Sequence, residues 1–283
     1  MKPCVLATRQ SPLALAQSRL VAARFHSRLQ LDCLLSKFVT TGDKQLEWSL
    51  EKRGGKGLFT KELEESLLSG EADIAVHSTK DIPGELPAGL AIAGYLPRAD
   101  PRDVLVTREG IGHPETLATG SPRRRLQLRG MFPDAALTEL RGNVETRLRK
   151  VADGAADGTV LAAAGLARLG IDGWPGLVFR PLSPKEMTPA VGQGAIAVQC
   201  RSEDVAKFAP ALDAPTAQHI ALERALQSAL GAGCHTAFGA LAEGRTLHLY
   251  HEQVGGHRLD LPGNELDTPK ETADALLRWL QLI

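Results

Sequence analysis

Leu96-Pro97-Arg98-Ala99-Asp100-Pro101, together with the proline-broken stretch from Pro181 to Pro189, decides how this chain is partitioned. Proline donates no backbone N–H and resists continuing either a strand or a helix, so each stretch reads as a connector between packed units. Two such crossings predict one unit inserted into another. Residues 1–96 and 190–212 then form a first α/β lobe, and residues 97–189 form a second. Outward from the crossings run short β-like segments: Val5 to Ala7, Leu34 to Val39, Ile74 to Val76, Leu90 to Ala93, Val104 to Val106, Val160 to Ala162 and Ile196 to Val198. They alternate with helical spacings such as Leu13/Ala16/Leu20, Leu63/Leu67 and Leu126/Leu128 with Met131. That alternation predicts parallel sheets with crossover helices. Ser11-Pro12 and Ser121-Pro122 each place a capping hydroxyl before a proline suited to the first helical turn, and Thr60 and Asn143 are further candidate caps. From Asp213 onward a helix (Ile220 to Leu230), two alternating runs (Phe238 to Leu241, Thr246 to Tyr250) and a last helix (Pro269 to Leu280) predict a small α+β unit over 213–283.

The chain has 283 residues, 43% of them hydrophobic, with 33 basic and 33 acidic side chains. It can bury a sizeable core, which excludes a disordered or collagen-like chain. Aromatics make up only 4%, and there is no net positive charge to steer a polyanionic strand, so no nucleic-acid partner is expected. No apolar run reaches about 18 residues, and Met1-Lys2-Pro3-Cys4 leads directly into a β-like segment. No membrane partner and a cytoplasmic location are expected. Cys4, Cys33, Cys200 and Cys234 are widely separated, without a C-x-x-C pair or the His spacing of a zinc site, and read as free thiols with no metal.

Charge is nevertheless concentrated. Between Ser121 and Arg149 lie Arg123, Arg124, Arg125, Arg129, Arg141, Arg147 and Arg149 against Asp134, Glu139 and Glu145. The guanidinium fork grips carboxylate or phosphate with two parallel bonds, and Thr119-Gly120-Ser121-Pro122 sets these arginines beside a helix start that favours anions. Arg9-Gln10-Ser11-Pro12 repeats the device, so two sites imply a polyanionic ligand. Taken singly, each arginine here reads better as part of a solvated helix face, and it is the position of the cluster that favours an anion site. Lys52-Arg53-Gly54-Gly55-Lys56-Gly57 is rich in glycine, but Gly57 stands where a P-loop needs Ser or Thr, which removes an ATPase reading. Lys80-Asp81 follows Ile74-Ala75-Val76-His77-Ser78-Thr79 at the end of a strand. A carboxylate there could stabilise a cation forming on a substrate or shuttle a proton. Cys234 lies in Gly231-Ala232-Gly233-Cys234-His235, where small neighbours leave room for a ligand to reach the sulfur.

These stretches, with Asp100-Pro101-Arg102-Asp103, Leu140-Arg141-Gly142-Asn143-Val144, Ala164-Gly165-Leu166 and Pro189-Ala190-Val191-Gly192-Gln193-Gly194-Ala195, resemble the porphobilinogen deaminase (hydroxymethylbilane synthase) family from near the N-terminus to Cys234. The resemblance implies two lobes of the periplasmic-binding-protein type plus a small C-terminal α+β domain, acting as a monomer. It implies head-to-tail condensation of four porphobilinogen molecules with loss of ammonia, on a dipyrromethane cofactor joined by a thioether to Cys234. By resemblance Asp81 is the catalytic acid. Lys80, Asp81, Thr119, Ser121, Arg123, Arg124, Arg141 and Gly142 are similar to cofactor ligands. Arg9, Ser11, Gln17, Arg141, Arg147 and Arg168 resemble the residues that hold substrate, and Lys52 and Lys56 those of a lid. The rival from another class is a non-catalytic two-lobed anion-binding protein, which would have no need of Cys234.

Overall fold

A computed structural model describes residues 3–40, 60–231 and 236–283. The expectations for Lys52, Lys56 and Cys234 lie outside the described residues. The first lobe contains β1 (Cys4–Arg9), α1 (Pro12–Leu29), β2 (Cys33–Phe38), α2 (Lys61–Leu68), β3 (Ile74–Ser78), a single 3-10 turn (Thr79–Asp81) and β4 (Leu90–Tyr95). The chain then crosses into the second lobe through β5 (Asp103–Arg108), followed by β6 (Thr116–Ala118), α3 (Pro122–Met131), β7 (Ala136–Thr138), α4 (Val144–Ala152), β8 (Gly158–Ala162), α5 (Ala163–Arg168) and β9 (Leu177–Pro181). It returns to the first lobe through β10 (Ile196–Arg201) and the short α6 (Val205–Phe208). Last come α7 (Ala214–Ala229), the antiparallel β11 (Phe238–Glu243), β12 (Thr246–His251) and β13 (Gly255–Asp260), and α8 (Pro269–Trp279).

The two five-stranded sheets share one plan, β2-β1-β3-β10-β4 in the first lobe and β7-β6-β8-β5-β9 in the second. They are mixed, which corrects the expectation of parallel sheets. β10 runs antiparallel to β3 and β4, and β5 antiparallel to β8 and β9. The cause is the wiring. A crossover helix returns the chain to the end of the sheet where the previous strand began, whereas β5 and β10 arrive directly from the other lobe and enter at the opposite end. Both crossings therefore join the carboxyl ends of the parallel strands, and the loops leaving β1, β3, β6, β7 and β8 share the space between the lobes. Ligands of open α/β sheets bind outside those strand ends.

Each sheet is packed on both faces. Leu6, Ile74 and Val198 lie under α1 with Val21 and Phe25, while Ala7, Ala75 and Leu90 meet Leu63 and Leu67 of α2. Val104, Val106 and Leu161 pack on Leu148 and Val151 of α4, and Leu105 and Val160 pack on Leu128 of α3. Full burial of such a side chain contributes about 1.5–3 kcal/mol. The third unit has its own core of Leu222, Leu226, Leu247, Leu249 and Leu277. Ile220 of α7 also packs with Ile82, Tyr95 and Ala197 of the first lobe.

Three of the four expected helix caps form. Ser11, Ser121 and Asn143 accept from the backbone N–H of Ala14, Arg124 and Thr146, while Thr60, with φ −118° and ψ −27°, makes no side-chain cap.

Candidate active site

β3 ends at Ser78, and the 3-10 turn that follows carries Lys80 and Asp81 out of the sheet, both exposed. Their placement is fixed from α1, where buried Gln17 donates from Nε2 to Ser78 Oγ at 2.9 Å. Thr79 Oγ1 donates to the Ala195 carbonyl at 3.1 Å, tying the turn to the returning strand. On the other lobe, Asn143 caps α4, and Arg147 on its first turns donates from Nε to the Gly142 carbonyl at 2.7 Å. Burial and the neighbouring Arg124 and Arg141 lower the Arg147 guanidinium to about 10, and Asp81 opposes them. A carboxylate of the first lobe thus lies near enough to an arginine of the second to act on its charge.

Lys80 is open to water, yet dense protein surrounds its place in the cleft. That burial, with Arg124 and Arg123 nearby, brings its amine down to about 8, against the pull of Asp81 and Asp103. An amine in that range still carries its charge at neutral pH and can attract a carboxylate.

Arg123 and Arg124, expected from the sequence as free anion grips, have an internal partner. Arg123 Nη1 lies 2.8 Å from Asp103 Oδ2 and donates to the Thr188 carbonyl at 2.6 Å. Arg124 donates from Nε and Nη2 to Asp103 Oδ1 at 3.1 and 2.7 Å, and from Nη1 to the Val160 carbonyl at 2.8 Å. Gln193 of the second crossing adds a bond to the same carboxylate oxygen at 3.0 Å. Asp103 has no exposed surface. Its own burial works against ionisation, but the two guanidiniums win and hold its carboxyl at about 2. Two cations against one anion leave this buried group with one net positive charge beneath the start of α3. Thr119 Oγ1 accepts from the Ser121 N–H at 3.2 Å and shapes that start.

The remaining expected residues divide. Arg9 closes β1 near His77, where its charge disfavours protonation, and Ser11 caps α1. Arg141 pairs with Glu139 at 2.6 Å on the cleft rim. Arg168 lies on α5 of the second lobe. Its Nη2 donates to the Gly194 carbonyl, and it lines a cavity of about 760 Å³ with Arg19, Leu20 and Arg24 of α1.

Sequence reasoning missed Asp103, Gln193, Arg98 and Glu223 as functional supports. Arg98 of the first crossing pairs with Glu223 of α7, which has no exposed surface and also accepts from the backbone N–H of Gly192 and Ala242 at 2.7 and 2.9 Å. Both crossings and the third unit are pinned at this one carboxylate. The available signal was charge in apolar company: Asp103 directly precedes Val104-Leu105-Val106, and Glu223 follows Ile220-Ala221-Leu222.

Residues 4–208 match the family described as "Porphobilinogen deaminase, dipyromethane cofactor binding domain". The chain belongs to the porphobilinogen deaminase family. A porphobilinogen deaminase of Syntrophus aciditrophicus is 45% identical over 85% of this chain and 80% of its own. One from Sorangium cellulosum is 43% identical over 95% of this chain and 93% of its own. Among solved structures, the periplasmic VFT2 domain of Bordetella pertussis BvgS matches 78% of this chain and 92% of its own at 17% identity and a TM-score of 0.45. No helix among the described residues of this deaminase-family chain is long and apolar enough to cross a membrane.

Proposed function

We propose that this chain is a transferase that condenses four porphobilinogen molecules head to tail into hydroxymethylbilane, releasing ammonia at each addition, on a dipyrromethane primer joined by a thioether to Cys234. The observation that carries the reading is that Asp81, with Lys80 beside it, leaves the first lobe within electrostatic reach of the second-lobe arginines. Each pyrrole bears carboxylate arms, and the donors gathered here suit carboxylates: Lys80, Arg141, Arg147, the Ser121 hydroxyl and the buried Nε of Arg123, which has no hydrogen-bond partner among the described residues. Lys80, Asp81, Thr119, Ser121, Arg123, Arg124, Arg141 and Gly142, with Cys234, would hold the primer. When bound, the primer supplies the pyrrole carbon to which the first substrate is joined.

The protein's part is electrostatic. Asp81 accepts the pyrrole N–H, stabilises the positive charge that grows on substrate as ammonia leaves, and takes up the proton released when the new carbon–carbon bond forms. Arg9, Ser11, Gln17, Arg141, Arg147 and Arg168 bind and orient substrate and the growing chain, Gln17 by fixing the turn that carries Asp81. Lys52 and Lys56 act as a lid. The same reading makes the protein a cytoplasmic monomer without a nucleic-acid partner, organised as lobes 1–96 with 190–212, 97–189 and 213–283. The three separate sheets and the balanced charge support it.

The test is Asp81→Ala. Turnover of porphobilinogen is expected to fall by about 10²–10⁴ while the primer stays on Cys234, as read by intact mass and peptide mapping. Near-normal turnover would remove Asp81 from the chemistry, and an unmodified Cys234 after incubation with porphobilinogen would remove the primer.

A further inference from the structure

We propose that Cys4 and Cys33 are a site of reversible disulfide formation that staples the edge strand of the first sheet to its neighbour. β1 and β2 pair in parallel with Cys4 directly opposite Cys33 and Leu6 opposite Leu35. All four side chains pack in the same cluster beneath α1, so the two sulfurs lie on one face of the sheet. Neighbouring strands run about 4.8 Å apart, within the Cα separation of roughly 4.4–6.8 Å that a disulfide spans without moving the backbone. The two thiols are close enough for each to act on the other's ionisation.

The pair is asymmetric in a way that suits exchange. Cys4 is buried, whereas Cys33 is half-buried on β2, the outermost strand of its sheet. The Cys4 S–H hydrogen bond lowers the Cys33 thiol, although burial, Asp32 and Asp73 oppose this. Cys4 is raised by the same bond, by burial and by Asp73, with Lys207 opposing. Cys33 is therefore the attacking thiolate and Cys4 the resolving thiol. The oxidant is a small-molecule disulfide. Cys33 sulfur attacks one of its sulfurs and expels the first thiol; Cys4, losing its proton, then attacks Cys33 sulfur and expels the second. Two protein thiols are oxidised to one disulfide, and the oxidant is reduced to two thiols that carry the two protons. Both cysteines sit at the amino ends of their strands, away from Asp81 and the cleft.

The experiment treats the full-length protein with oxidised glutathione and maps its peptides without reduction. Expected are a Cys4–Cys33 linked peptide, an intact mass lower by two hydrogens, and a Tm higher by about 5 °C that dithiothreitol reverses. Cys4→Ser should instead accumulate a mixed glutathione disulfide on Cys33, and Cys33→Ser should form neither product. A wild-type protein that stops at the mixed disulfide, or that leaves both thiols free, overturns the proposal.

Discussion

In the first lobe the entering strand, β10, sets Gln199 between two buried groups: His77 Nε2 donates to Gln199 Oε1 at 2.9 Å, and Gln199 Nε2 donates to Glu64 Oε1 at 3.2 Å. In the second lobe the entering strand, β5, sets Asp103 between Arg123 and Arg124. The scaffold is the same and the strand is the same, but one lobe buries its histidine neutral and the other buries three full charges. A lobe meant to offer its carboxylate outward, at Asp81, needs a rigid floor beneath β3 that buries no cation next to it. A lobe that receives anions needs fixed positive charge below its helix start, and Asp103 makes the burial of two arginines tolerable by cancelling one of them.

If Asp103 plays that part, removing it should cost far more than removing a carboxylate that pairs with an arginine on the rim of the same lobe. Asp103→Ala leaves two guanidiniums buried without a counter-charge and is expected to destabilise the protein by about 3–5 kcal/mol in urea unfolding. Glu139→Ala, which frees Arg141 on the half-exposed rim, is expected to cost no more than about 1 kcal/mol. Equal losses would mean that the charged trio is ordinary surface electrostatics.

The histidine network should show itself in pH instead. Burial lowers His77 to about 4 from an ordinary 6.5, with its bond to Gln199 opposing and Arg9 assisting. The unfolded chain therefore takes up a proton between about pH 6.5 and 4 that the folded chain refuses. This contribution to stability, on the order of 3 kcal/mol, is complete above pH 6.5 and fades as pH falls toward 4. The Asp103 contribution persists over that window, because its carboxyl at about 2 gains its proton only in stronger acid. Unfolding measured from pH 7 to pH 4 should thus lose stability in the wild type, and a His77→Gln variant that still folds should have a flatter profile.

A smaller effect is expected at the cleft itself. With its amine lowered to about 8, Lys80 is charged below that pH and neutral above it, so kcat/KM should decline roughly tenfold as pH rises through 8. Lys80→Arg, charged throughout, should flatten that limb; an unchanged limb would assign the titration to another group.

What could be read in the sequence was local chemistry. Ser11, Ser121 and Asn143 announced their helices because a capping side chain needs only the N–H three residues on. Strand direction depends on which lobe the chain is coming from, which no stretch of six residues encodes, so β5 and β10 were misread as parallel. β6 and β7 are three residues each, too short for a period to register, and β13 begins with two glycines. The arginine cluster was visible, but its division of labour was not. Arg123 and Arg124 find Asp103 about twenty positions upstream, Arg125 donates to the carbonyls of Leu137 and Thr119, and Arg141 has Glu139, whereas Arg147 feels the charge of Asp81 from the other lobe.

The finest difference concerns two glycines that border the same cleft. Gly142 has φ +120°, and a Cβ there would stand 2.7 Å from Thr146 Cγ2, so Gly142→Ala should cost at least about 1 kcal/mol and disturb the carbonyl that holds Arg147. Gly120 carries no such strain. A Cβ at this position would meet Glu139 Oε1 at 3.7 Å and Arg141 Nε at 3.8 Å, both ordinary contacts. Gly120→Ser should therefore leave thermal stability within about 0.5 kcal/mol of the parent and add one hydroxyl beside the α3 start. If the primer's carboxylates rest on that helix start, the added hydroxyl should quicken attachment of the primer when primer-free protein is incubated with porphobilinogen, as read by intact mass, without changing Tm. A fall in Tm would show instead that the 119–121 turn needs its glycine for the backbone alone.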